Sequence, residues 1–157
     1  MSRQRGVALL LALVLSLLLG LLAVSSLRAA LQETRMSSSL RDSLQALEAA
    51  EAVLLVGVDH VRRAPPAICQ ACPPPSHPHE LRGTWLSTSS GYYQLQNLGV
   101  TDKAAHTPAG EHVTLYRVTA VSRQLPARQV LEAVYAVPTA QAQAPRRILW
   151  RQRLRED

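Results

Sequence analysis

The stretch Cys69-Gln-Ala-Cys72, followed by His77 and His79, brings together side chains of the ligand and redox types. Two thiolates and two imidazoles can hold tetrahedral zinc. A Cys-x-x-Cys pair can also exchange with a substrate disulfide, or close a structural bridge. His-x-His spacing suits a strand better than a loop stiffened by Pro73, Pro74, Pro75 and Pro78. Thioredoxin-like exchange needs the motif at a helix start within a βαβ unit. A domain that lies beyond an export segment oxidises such thiols. A Cys69–Cys72 disulfide is therefore the preferred reading, and it stabilises little because the loop it closes is short. No metal and no cofactor are expected. Glu48 and Glu51 lie three apart, which on a helix reads as solvated charge. G-x-S-x-G, H-E-x-x-H and a phosphate loop do not occur, so no catalytic residues are assigned and the chain is not expected to be an enzyme.

Charge narrows the partners. Seventeen basic and eleven acidic residues give a net charge of +6 and a pI near 10.1, with Lys103 the only lysine. Such a balance suits nucleic acid or an anionic membrane surface. Dense basic blocks interleaved with aromatics do not occur, however, and a nucleic-acid partner is not expected. The densest arginine run is Arg146, Arg147, Arg151, Arg153 and Arg155, closed by Glu156 and Asp157.

The elements that must position these residues begin with an apolar run. Val7 to Leu27 carries no charge and follows Arg3, Arg5 and Gly6. Its 21 residues can cross a hydrocarbon core of roughly 30 Å as a helix. A signal peptide would have a shorter apolar core and an A-x-A-like cleavage site. A plain anchor would end in a polar stop. Here the run passes instead into SLRDSLQALEAAEAVLLVGVDHVRR, rich in helix formers. Leu40, Leu44, Leu47, Leu54 and Val58 recur at helical spacing, with Glu51 in the stripe. Proline is absent from residues 7 to 64. A single helix from Val7 to Val61 is predicted, on the order of 80 Å long. Ser16 and Gly20 form a small-xxx-small pair that lets helices approach closely.

RRAPPAICQACPPPSHPHELRG ends the helix near Arg63 and reads as an irregular, proline-rich loop. Strand patterns follow in GYYQLQNLG, EHVTLYRVTAVSRQ and ARQVLEAVYAV. In the second, Tyr116, Val118 and Ala120 share one face. In the third, Leu131, Ala133, Tyr135 and Val137 oppose Val130, Glu132 and Val134. A turn is expected at Gln124 to Ala127 around Pro126. The three strands form an antiparallel meander that covers the amphipathic half of the helix. PRRILWRQRLRED adds an edge strand or a short helix. Tyr92 and Tyr93 are read as strand packing.

The N-terminal residues resemble those of type IV pilins, specifically minor pilins of the PilX type. The resemblance rests on R-Q-R-G followed directly by V-A-L-L-L-A-L-V-L, then S-L-R-D-S-L-Q-A-L-E-A-A-E-A. A basic leader, a glycine and an apolar helix resemble the prepilin peptidase signature, which implies cleavage between Gly6 and Val7. Leu11 stands where most pilins carry a glutamate, and Arg28 where a proline is often found. The resemblance implies an α+β, pilin-like fold with a long N-terminal helix packed on a small antiparallel sheet. The implied parts are a leader (1–6), a transmembrane and assembly half-helix (7–27), an amphipathic half-helix (28–62), a proline-rich loop with the cysteine pair (63–89) and a sheet head (90–157). Leu11, Ser16 and Gly20 become helix-assembly positions. The implied role is to initiate or cap a type IV pilus in a tip complex that supports adhesion, aggregation and twitching motility. Implied partners are other minor pilins, the major pilin, prepilin peptidase, a large tip adhesin and the inner membrane. The implied location is that membrane with a periplasmic head, then the pilus tip. A type II secretion pseudopilin and a DNA-binding competence pilin are the alternatives.

Overall fold

The computed structural model describes residues 2–125, 127–139 and 144–155, with side chains from Leu9 onward. The chain forms a helix α1 (Ser2–Arg63) and strands β1 (Leu86–Ser87), β2 (Gly91–Thr101), β3 (Val113–Ser122), β4 (Val130–Pro138) and β5 (Arg146–Arg153). It falls into two compact units, Met1–Arg41 and Asp42–Asp157. Helix α1 contributes to both. It ends at Arg63, where Ala64-Pro65-Pro66 removes donors and disfavours helical geometry. The fold is α+β: the helix packs on a five-stranded antiparallel sheet.

Within the second unit the strands run in sequence order, each paired to the next, so the sheet is a meander. The tail PRRILWRQR forms the edge strand β5 rather than a helix, because its residues extend the β4 ladder from Val130 to Ala136. A bulge interrupts β2 between Asn97 and Gly99, and Gly99 takes a φ of +94° that a side chain would resist. The turn expected around Pro126 centres on a residue outside those described.

One face of the sheet meets the helix. Tyr93, Tyr116, Val118, Ala120, Leu131, Ala133 and Tyr135 pack with Ala50, Val53, Leu54 and Val61 of α1, and Leu47, Val58, Leu95 and Val137 flank them. The strand alternation reads directly as this inward face. The helix side differs from expectation. Leu40 and Leu44 of the anticipated leucine stripe are 62% and 57% exposed. The face that docks is a line of smaller residues, Ala46, Ala50, Val53, Gly57 and Val61, spaced four, three, four and four apart. The cause is proximity. A Cβ added to Gly57 would sit 2.5 Å from Val118 Cγ1, so leucines on this line would push the helix off the sheet.

The opposite face is polar at its centre. Glu132 alternates with Leu131 and Ala133, is only 2% exposed, and pairs with three arginines. Its Oε1 accepts from Arg151 Nε at 2.9 Å and Nη2 at 2.7 Å, and lies 3.8 Å from Arg117 Nε. Its Oε2 is 3.9 Å from Arg153 Nη1. The same arginines hold the loop after α1: Arg117 Nη1 donates to Cys72 O (2.9 Å) and Arg153 Nη1 to Pro75 O (2.8 Å). Gln96 Nε2 donates to Pro73 O, Asn97 Nδ2 to Pro66 O, and Arg128 Nη1 to His79 O. Prolines have no N–H to offer, so this loop is rich in acceptors. The sheet face supplies the matching donors.

Two stability predictions follow from these faces, both for the full chain in detergent. Gly57→Leu should lower unfolding free energy by about 1–3 kcal/mol through overpacking against Val118; an unchanged urea midpoint would show that the helix does not approach this closely. Glu132→Ala should cost about 3 kcal/mol by leaving buried guanidinium groups unpaired, whereas Arg151→Ala, at a half-exposed site, should cost about 1 kcal/mol or less. Trp150 on β5 provides the fluorescence signal. Equal losses for the two variants contradict the pivotal role of the carboxylate.

Candidate functional site

The candidate site is the apolar part of α1 in the first unit. Leu9, Leu10, Leu11, Leu13, Leu15, Leu17, Leu18, Leu19, Leu21, Leu22 and Leu27 are each more than half exposed, and so is every side of the helix they line. Leucines dominate because an unbranched Cβ keeps helix propensity high while the side chain stays apolar. The stretch from Leu9 to Leu27 spans about 28 Å, close to the thickness of a hydrocarbon core. The helix is long and apolar enough to cross a membrane. Water tolerates contiguous apolar surface only up to a few hundred Å² on a monomer. A belt of this size fits a membrane anchor.

Several hydroxyls in and after the belt fold back onto their own helix. Ser16 Oγ donates to Ala12 O at 2.8 Å. Ser25 and Ser26 both donate to Leu22 O, and Thr34 donates to Ala30 O. These four hydroxyls are satisfied without water, which suits a hydrocarbon or bundle environment. Around Gly20 the space is open: an added Cβ would have no neighbour within 4 Å. Ser16 and Gly20 are thus small, available positions one turn apart. Leu11 is 62% exposed and adds no charge to the belt. Gly6 and Val7 lie outside the residues whose side chains are described.

The cysteines lie elsewhere, in the loop on the outer face of the sheet. Cys69 and Cys72 stand at disulfide distance, with Cα atoms 5.8 Å apart. Cys69 N donates to Asn97 O at 3.1 Å beside the Ile68–Asn97 bridge, which fixes the loop to the β2 bulge. His77 and His79 bracket Pro78 at the far end of the same loop, and His79 Nε2 bonds Arg153 O at 3.1 Å. Among the described residues no three His, Cys, Asp or Glu side chains gather where a metal ion could be held. Glu48 and Glu51 remain on α1 as surface or half-buried charge. Tyr93 packs in the core and its hydroxyl lies 2.8 Å from His60 Nδ1, tying the last turn of α1 to β2. Tyr92 carries the guanidinium of Arg123 over its ring at 5.0 Å.

Sequence reasoning placed Glu132 on the face opposite Leu131 and Ala133 but missed its role. A lone acid within an apolar strand, in a chain with five arginines near its end, was the available signal. The line of small residues on α1 was missed as well, because alanine and glycine carry no hydrophobic stripe.

Similarity to known proteins is confined to the helix. The PilX N-terminal family matches residues 5–55, which include the apolar belt and most of the docking line. The match stops before the loop and the sheet. No curated protein and no solved structure matches the chain. Residues 5–55, an apolar helix with Ser16, Ser25, Ser26 and Thr34 bonded back to its own backbone, thus carry the N-terminal segment of PilX-type type IV pilins.

Proposed function

We propose that this chain is a minor pilin that initiates or caps a type IV pilus as part of a tip complex. The observation that carries the reading is the uncovered apolar belt with leucine at position 11. A carboxylate in that belt would need a cationic partner from a neighbouring subunit, because an unpaired buried charge is costly. Leu11 imposes no such need. A subunit so built can end a filament without a further subunit to neutralise it. Hydrocarbon first solvates the helix, and the helices of sibling subunits then replace the hydrocarbon.

On this reading residues 1–6 form a leader that prepilin peptidase removes between Gly6 and Val7. The half-helix 7–27 then serves as anchor and assembly element, 28–62 as the amphipathic half, 63–89 as a loop closed by a Cys69–Cys72 disulfide, and 90–157 as the head. The protein resides in the inner membrane with a periplasmic head and moves to the pilus tip. There it works with other minor pilins, the major pilin and a large tip adhesin in adhesion, aggregation and twitching motility. A DNA-binding role is less well supported, because Arg117, Arg146, Arg151 and Arg153 already donate to acceptors within the fold. A secretion pseudopilin would use the same helix physics in a different machine.

Two experiments test the proposal. Intact-mass analysis of the protein from cells should give a chain that starts at Val7, with or without one added methyl group; a start near residue 28 would establish a secretory signal peptide instead. Gly20→Leu should leave membrane insertion intact but reduce recovery in sheared pili and the number of pili per cell, since a bulky side chain blocks close helix approach. Wild-type recovery and piliation in that variant would remove the 16–20 face from assembly.

A further inference from the structure

A cavity of about 110 Å³ lies where the 3-10 turn Pro78–Glu80 meets the end of β5, lined by His77, Pro78, His79, Glu80 and residues 153–155. A second, more open cleft of about 260 Å³ shares His79 and residues 153–155 with it and adds Arg128 and Gln129. Drug-sized ligands fill roughly 300–1,000 Å³, so the inner cavity suits only a compact group.

The charges around the two spaces do not balance. Glu80 is held by Arg82 at 2.8 Å, and Arg153 serves Glu132 and Pro75 O. Arg128 and Arg155 line the cleft with no carboxylate partner among the described residues. Arg128 is turned by its bond to His79 O, and its Nε is buried with no acceptor among those residues. An unanswered buried donor of this kind is rare in a folded protein. His77 adds a ring N–H, whereas His79 gives its Nε2 proton to the Arg153 carbonyl and serves to fix the turn.

The backbone at the site is also strained. His77 and Leu81, on either side of the turn, hold φ values of 48° and 57°, left-handed geometry that a side-chain-bearing residue disfavours. Strain of this kind is kept where surrounding bonds over-determine it, and it clusters at ligand sites. The bonds here are Leu81 N to Pro78 O, Arg128 to His79 O and His79 to Arg153 O. They set His77 and His79 in the lining of the cavity.

We infer that this cavity and cleft form a binding site for a small anionic ligand, one that presents a carboxylate or phosphate to Arg128, Arg155 and His77. Guanidinium groups match both anions through paired, charge-assisted hydrogen bonds. The apolar rim of Pro78 and Leu154 gives the rest of the ligand a non-ionic surface. The site is independent of the assembly helix and stands whether or not the chain caps a filament.

Calorimetric titration tests it, with the full chain in non-ionic detergent and an anion-poor buffer. Inorganic phosphate and D-glucuronate are the two probes, and D-glucose is the uncharged control. One saturable site is expected for at least one anion and none for glucose. Saturation by phosphate alone assigns a phosphate ligand, and by glucuronate alone a sugar acid. Arg155→Gln, at an exposed position, should weaken binding roughly tenfold, the loss of one charge-assisted bond. His77→Asn keeps a residue type that tolerates left-handed geometry and should also weaken it. Arg123→Gln, equal in charge change but seated over Tyr92, should have no effect. Absence of saturable binding by both anions overturns the inference. So does equal weakening by Arg155→Gln and Arg123→Gln, which would reduce it to net charge.

Discussion

The contact on which the second unit depends is the approach of helix backbone to sheet at Gly57 and Val118. A helix can lie this close to a strand only where its side chains are small. Alanine and glycine supply that at positions 46, 50 and 57. Close approach brings Val53, Leu54 and Val61 into a core made mostly of valine, alanine and tyrosine. It also lets the Tyr93 hydroxyl reach His60 in the last helical turn. Glycine inside a helix costs about 1 kcal/mol relative to alanine. That cost is offset by the apolar area that closes around it, worth about 25 cal/mol for each Å² removed from water.

The same helix shows two solutions to the solvation of leucine. In the first unit leucines face outward on every side, and serine and threonine hydroxyls are capped by carbonyls one turn back. In the second unit small side chains line the closest approach, Leu54 is buried beside them and Leu47 and Val58 flank the contact. Both solutions use the same helix formers. What differs is whether the covering surface comes from this chain's own sheet or from outside it.

Much of this was legible from residue types alone. The apolar run, the absence of proline up to Ala64 and the strand alternation predicted the helix, its end and the inward faces of β3 and β4. These features are local and periodic, so they survive in a one-dimensional reading. Three things were not legible. Leu40 and Leu44 look like core by spacing, yet they are exposed, because the sheet reaches the helix only from Ala46 onward. The convergence of Arg117, Arg151 and Arg153 on Glu132 joins three strands across the register and has no signature in sequence spacing. Likewise, His77, His79 and Arg155 come together only because β5 returns to the sheet edge beside the loop. The PilX N-terminal match ends at residue 55, so none of these outer-face features falls within it.

Arg117, Arg128 and Arg153 grip the loop by main-chain oxygens, not by the side chains it displays. Every amino acid brings such an oxygen. The loop's outward chemistry can thus be rewritten, residue by residue, while its moorings hold.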